Sequence, residues 1–178
     1  YICRGKVFAN AQTGNIVLLG QSLAEANFHN ALKYILPIIT FALGGYLCQK
    51  IQLAYKNAKS IHWRQIVLAI EILFVVAIGF LSNEYDSPAN MMISFVCGIQ
   101  VIAFSKFHGN AYATTMCTGN LKSATTLLCK YHTTGDKDLR RKSFYYFFII
   151  LVFSFGAASG ALMADLIGLA SIWLVALL

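Results

Sequence analysis

Apolar residues in this chain are gathered into four or five long runs separated by short polar stretches. The first run covers Ala31 to Gln49 and passes into an amphipathic stretch, Lys50 to Ser60. The second is Ile66 to Leu81, flanked by Arg64 and by Ser82-Asn83-Glu84-Tyr85-Asp86. The third starts after Pro88, where a helix start tolerates proline, and ends at Phe104. The fourth, Phe144 to Ala164, follows the basic cluster Arg140-Arg141-Lys142, and the fifth, Leu166 to Leu178, is short. Crossing the hydrocarbon core takes about 20 apolar residues in a helix, so each run predicts a span. Two weaker segments, Ala9 to Ala26 and Ala111 to Lys130, are helix-like but more polar.

Composition points the same way. The chain is 58% hydrophobic and 12% charged, whereas a soluble domain is about a quarter charged. Lipid is the solvent that suits so apolar a surface. The fold expected is therefore all-α, a polytopic transmembrane bundle of about six helices forming one domain over residues 1–178. The chain begins at Tyr1 and ends in the apolar Ile172-Trp173-Leu174-Val175-Ala176-Leu177-Leu178, as expected of a piece of a longer protein with its first helix largely missing.

Charge changes the picture next. The net charge is +7, which the positive-inside rule explains without nucleic acid. Loop 50–64 carries Lys50, Lys56, Lys59 and Arg64 and no acid, so it is expected in the cytoplasm. Loop 82–87 carries Glu84 and Asp86 and no base, so it is expected outside. Stretch 106–142 holds seven Lys/Arg against Asp136 and Asp138 and is expected inside. That contrast holds only if the segment around residue 119 does not cross.

Thr13-Gly14-Asn15-Ile16 recurs as Thr118-Gly119-Asn120-Leu121. Each copy precedes an apolar helix with a related signature, Phe41-Ala42-Leu43-Gly44-Gly45 and Phe153-Ser154-Phe155-Gly156-Ala157. In-order recurrence of this kind signals duplication. With the charge contrast, it predicts two inverted three-helix repeats, about 1–84 and about 85–178. Transporters built this way place substrate near the repeat interface.

These residues resemble the YoaK-type family of bacterial inner-membrane proteins, a domain of unknown function. The resemblance runs through Gln12-Thr13-Gly14-Asn15, Val17 to Gly20 and Phe41 to Gly45. It continues in Arg64 ahead of Glu71, Gly98-Ile99-Gln100, Thr114-Thr115, Thr118-Gly119-Asn120, Phe155-Gly156-Ala157 and Gly160-Ala161. Val101 stands where that family usually has asparagine. The resemblance implies about six helices and a multi-pass place in the bacterial inner membrane. It implies no substrate, reaction or cofactor.

The candidate substrate-binding residues are Gln12, Thr13, Gly14, Asn15, Gln100, Thr118, Gly119, Asn120 and Lys122. Thr and Asn would line a site where Gly bends the helix, and Lys122 would favour an anion. The plainer reading makes Asn15 and Asn120 caps of helices starting at Ile16 and Leu121. Glu71, deep in an apolar run, is the candidate for proton or ion coupling, since an acid there is expensive. Its plainer role is a pair with Arg64 or a capped interhelical hydrogen bond. Gln100 is equally suited to bonding across helices. Asp165 reads as a turn between the last two helices, and Trp63 and Trp173 as interfacial anchors or packing residues.

The five cysteines, Cys3, Cys48, Cys97, Cys117 and Cys129, show no metal-ligand spacing. His29, His62, His108 and His132 have no partner spacing either. No metal or cofactor is expected, and no nucleophile or phosphate-binding motif argues for an enzyme. The function expected is a small secondary carrier or permease of unknown substrate, a small molecule or ion, with a homodimer in the lipid bilayer as the expected assembly. The alternative is a non-transporting scaffold that binds lipid or a partner.

Overall fold

The computed structural model describes residues 4–5, 7–56, 61–107, 110–111 and 117–173 of the chain. Cys3, Lys59, His108, Thr114, Thr115 and the last residues, 174–178, lie outside the described residues. Six α-helices carry the fold: α1 (Gln12–Ala24), α2 (Phe28–Tyr55), α3 (Trp63–Gly79), α4 (Asp86–Ala103), α5 (Cys117–Thr134) and α6 (Lys137–Ile167). A two-residue antiparallel pairing, Lys106–Phe107 with Asn110–Ala111, lies between α4 and α5.

Two of these helices are long and apolar enough to cross a membrane. They are α2, with 28 residues, and α6 with its 3-10 extension to Ser171. At about 1.5 Å per residue, α3 (17 residues) and α4 (18 residues) come to about 26 and 27 Å, just under the roughly 30 Å of hydrocarbon. The 13 residues of α1 are too few.

The chain divides into two compact units. The first comprises Tyr1–Ala103 with Met163–Leu178, and the second Phe104–Leu162. In the first unit α2 is the hub, lying against α1, α3 and α4. Its closest partner is α4, and glycine is the reason. A Cβ on Gly44 would sit 2.1 Å from the Phe95 carbonyl oxygen, and one on Gly98 would sit 2.1 Å from the Phe41 carbonyl oxygen. The contact is reciprocal: Phe41-Ala42-Leu43-Gly44 meets Phe95-Val96-Cys97-Gly98, each glycine resting on the other helix's phenylalanine backbone. Such close approach is how membrane helices gain packing when apolar burial offers little drive. Phe95 also stacks on Phe74 of α3, centroids 4.9 Å apart.

Helix ends are set by local chemistry. Asn27 accepts from Asn30 N–H at 3.1 Å and starts α2. His62 starts α3: its ring accepts from Arg64 N–H, and Gln65 accepts from His62 N–H at 3.0 Å. Pro37 sits inside α2 without ending it. In the second unit, Gly135 at φ +73 closes α5, its N–H donating to Tyr131 carbonyl at 2.8 Å. Ser143 on α6 donates to the Ala124 carbonyl of α5 at 2.7 Å.

One boundary differs from expectation. The chain does not turn at Asp165, because α6 runs on through it to Ile167. The break comes at Gly168, whose φ of +59 is the left-handed conformation that glycine takes without strain. Beyond it, Trp173 lies over Gly79 and meets Phe80 edge-on at 5.0 Å, so this tryptophan is a packing residue.

Gly98→Ala is expected to destabilise the folded protein by about 1–3 kcal/mol or more, since overpacking against backbone has no relief. Gly20→Ala on α1, where a Cβ meets nothing within 4 Å, is expected to be neutral or stabilising by up to about 1 kcal/mol. Thermal unfolding in detergent, followed by circular dichroism, distinguishes the two.

Candidate functional site

Both Thr-Gly-Asn elements are helical, the first in the opening turn of α1 and the second within α5. Thr13 and Thr118 are exposed, while Asn15 (0% exposed) and Asn120 (2%) are buried. The capping expectation is corrected here, because the helices begin earlier, at Gln12 and Cys117. Asn15 works instead from inside the first turn. Its Nδ2 donates to the Phe8 carbonyl at 2.6 Å and to Gln12 Oε1 at 2.9 Å. Gln12 Nε2 in turn donates to the Ala9 carbonyl at 2.9 Å. Gly14 leaves room for the Phe8 ring, which a Cβ would meet at 3.0 Å. Glycine and asparagine therefore act together: one admits the ring of the incoming segment, the other holds its backbone. Asn15 Oδ1 is buried and has no donor.

The first element belongs to the first unit, and Thr118, Gly119, Asn120 and Lys122 belong to the second. Lys122 is exposed on α5.

Glu71 is 8% exposed on α3. It lies within electrostatic reach of Cys48 on α2 and Cys97 on α4, one turn beyond Gly44 and one residue before Gly98. The carboxyl thus sits among three helices beside their tightest crossing. Its Oε1 has no hydrogen-bond partner. The ion pair with Arg64 does not form. Arg64 is exposed, its Nε donates to the Ala103 carbonyl at 3.2 Å, and its guanidinium lies over the Trp63 ring at 5.0 Å. Ring and carbonyl satisfy the arginine at the helix start, two turns from the acid. Gln100, half-buried on α4, makes no side-chain hydrogen bond among the described residues. Among the described residues no His/Cys/Asp/Glu group is placed to hold a metal ion.

Sequence reasoning missed Arg4 and Ser94. Arg4 is buried, and its guanidinium donates to the carbonyls of Leu81 (2.7 Å), Ser82 (2.9 Å) and Ile78 (3.4 Å). It also pairs with Asp86 at 3.4 Å, and Asn90 Nδ2 donates to the Arg4 carbonyl at 3.2 Å. A cation there gathers the carbonyls around the end of α3, those of Ile78 and Ser82 also accepting from backbone N–H groups, and it complements the helix dipole. Ser94 is fully buried on α4, and its Oγ lacks a partner. The only sequence signal for it is its place one turn from Asn90 and one turn from Gly98 on the same face.

A family model described as Protein of unknown function (DUF1275) matches residues 1–178. No curated protein and no solved structure matches the chain.

Arg4→Met is expected to cost about 3 kcal/mol or more, since it strips a buried cation from Asp86 and from three carbonyls. The loss is read as a lower melting temperature, with earlier proteolytic cleavage ahead of α1. A variant as stable as the parent would show that the arginine contacts carry no weight.

Proposed function

The chain belongs to the DUF1275 family of proteins of unknown function, and from that premise we propose that it is a small multi-pass carrier of the bacterial inner membrane. The single observation that carries the proposal is Glu71, a buried acid with an unpartnered oxygen where α2, α3 and α4 meet. Ionisable groups at membrane depth are costly and tend to serve ion or proton pathways. A buried carboxyl with no ion-pair partner among the described residues offers proton exchange as its chemistry.

Four further features support this reading. The lengths of α3 and α4 fall at the short end of the roughly 17–25 residues that span a bilayer. With α2 and α6 they make up the described part of a six-span bundle. Helix α5 carries Lys122 and Lys130 and belongs with the basic, cytoplasmic stretch. The Thr-Gly-Asn elements, both helical and with buried asparagines, support two inverted three-helix repeats, about 1–84 and about 85–178. Asn15 Oδ1 and Gln100 retain capacity for a ligand's donors, and a homodimer in the bilayer suits so small a carrier.

The test uses the purified protein in liposomes with a pH-sensitive dye inside. The parent is expected to couple uptake of at least one solute, from a broad panel, to a proton or ion gradient. Glu71→Gln, which keeps size and hydrogen bonding, is expected to reduce coupled flux at least tenfold while leaving the melting temperature within a few degrees. Equal flux in parent and variant would remove Glu71 from the mechanism. No flux of any solute, together with a co-purifying partner, would favour a scaffold instead.

A further inference from the structure

A cleft of about 280 Å³ lies between the first turns of α2 and α4, roofed by the segment that Arg4 anchors. Its walls are mostly apolar, with Val7 from the anchored segment and Leu32, Leu36 and Pro37 from α2. Polar groups join them in the lining: His29, Lys33, Asp86, Ser87 and Asn90. All of these residues belong to the first unit. At about 30 Å³ for each water displaced, the cleft has room for roughly nine water volumes, or a compact molecule of about as many heavy atoms. That is near the lower end of small-molecule pockets, which are mainly apolar with a few placed polar groups.

The charges around it are unequal. Asp86 is paired to Arg4 at 3.4 Å, while Asn90 is spent on the Arg4 carbonyl. Lys33 has no carboxylate within ion-pairing distance among the described residues. Its ammonium lies near the Tyr34 ring, 5.7 Å from the centroid. One cation therefore remains unanswered above an apolar floor. Pro37, lacking an N–H, also deprives the Lys33 carbonyl of its usual helical donor, which adds an acceptor at the same place.

We propose that this cleft binds a small monocarboxylate with a short apolar body, its carboxylate on Lys33 and its body against Val7, Leu36 and Pro37. The site lies apart from Glu71 in the sequence pattern and needs no transport to be real. Binding at equilibrium and coupled flux can therefore fail separately.

Hexanoate, with eight heavy atoms, is the probe, and the full chain in lipid nanodiscs is the receptor, with empty nanodiscs subtracting partition into lipid. Titration calorimetry is expected to show saturable binding. Hexylamine, the same body with the opposite charge, is expected not to compete. Lys33→Gln should weaken binding at least tenfold and Lys33→Arg should restore most of it, while Leu36→Trp, which fills the cleft, should abolish it. The proposal is overturned if folded parent protein shows no saturable hexanoate binding, if hexylamine competes equally, or if Lys33→Gln and Leu36→Trp bind like the parent. The competition arm uses only the parent, so it decides even where a variant does not fold.

Discussion

The first unit depends on one contact, the crossing of α2 and α4 through Gly44 and Gly98. Without side chains there, the two backbones close to a separation that any Cβ would prevent. Everything else in that unit is placed by this approach. It brings Phe95 onto Phe74, sets Cys48 and Cys97 on facing helices, and encloses Glu71 between them. It also fixes how far the first turns of α2 and α4 stand apart, and so the cleft that opens there. Because each glycine lies three residues after the phenylalanine of its own helix and faces the carbonyl of the other helix's phenylalanine, the contact is self-complementary. A shift of one helix along the other would lose both halves together.

A second constraint acts where α3 ends and α4 begins in the same unit. The carbonyls at a helix C-terminus carry partial negative charge, and at the end of α3 Arg4 gathers those of Ile78, Leu81 and Ser82. The guanidinium also draws on Asp86 at the start of α4, while the Arg4 backbone accepts from Asn90. One side chain thus joins the first described residues to the end of one helix and the start of another. Asn15 does similar work a few residues on, holding the Phe8 carbonyl at the start of α1. The polar residues of this apolar chain are spent largely on its own backbone. Glu71 Oε1, Ser94 Oγ and Asn15 Oδ1 are the buried exceptions among the described residues.

Much of the helical framework was legible in the sequence, because apolar runs and their flanking charges are local signals. The existence of α3 and α4, though each starts about a turn earlier than its apolar run, the burial of Glu71 and the doubling of Thr-Gly-Asn were readable. The side-chain roles were less so. Asn15 reads as a cap because asparagine before an apolar run usually is one, and only the fold reveals that the helix begins four residues sooner, at Gln12 rather than Ile16. Arg64 looks like the partner of Glu71 by spacing along a helix, yet a nearer carbonyl and ring claim it. Asp165 looks like a turn because it is polar, but Gly168 alone has the conformation to end α6. Arg4 could not be read at all, since its partners lie more than seventy residues away. The matching of Phe41–Gly44 with Phe95–Gly98 depends on the rotation of each helix about its axis, which no local pattern states.

Topology tests this account most directly. Single cysteines at Asn30, Asp86 and Gly135, in a background freed of the native cysteines, would be labelled in intact cells with an impermeant thiol reagent. The account predicts that Asn30 and Asp86, at the first turns of α2 and α4, react from outside, while Gly135, between α5 and α6, does not. Labelling at Gly135 from outside would contradict it, because α5 would then cross the membrane, the two repeats would be parallel, and the case for an inverted carrier would be lost.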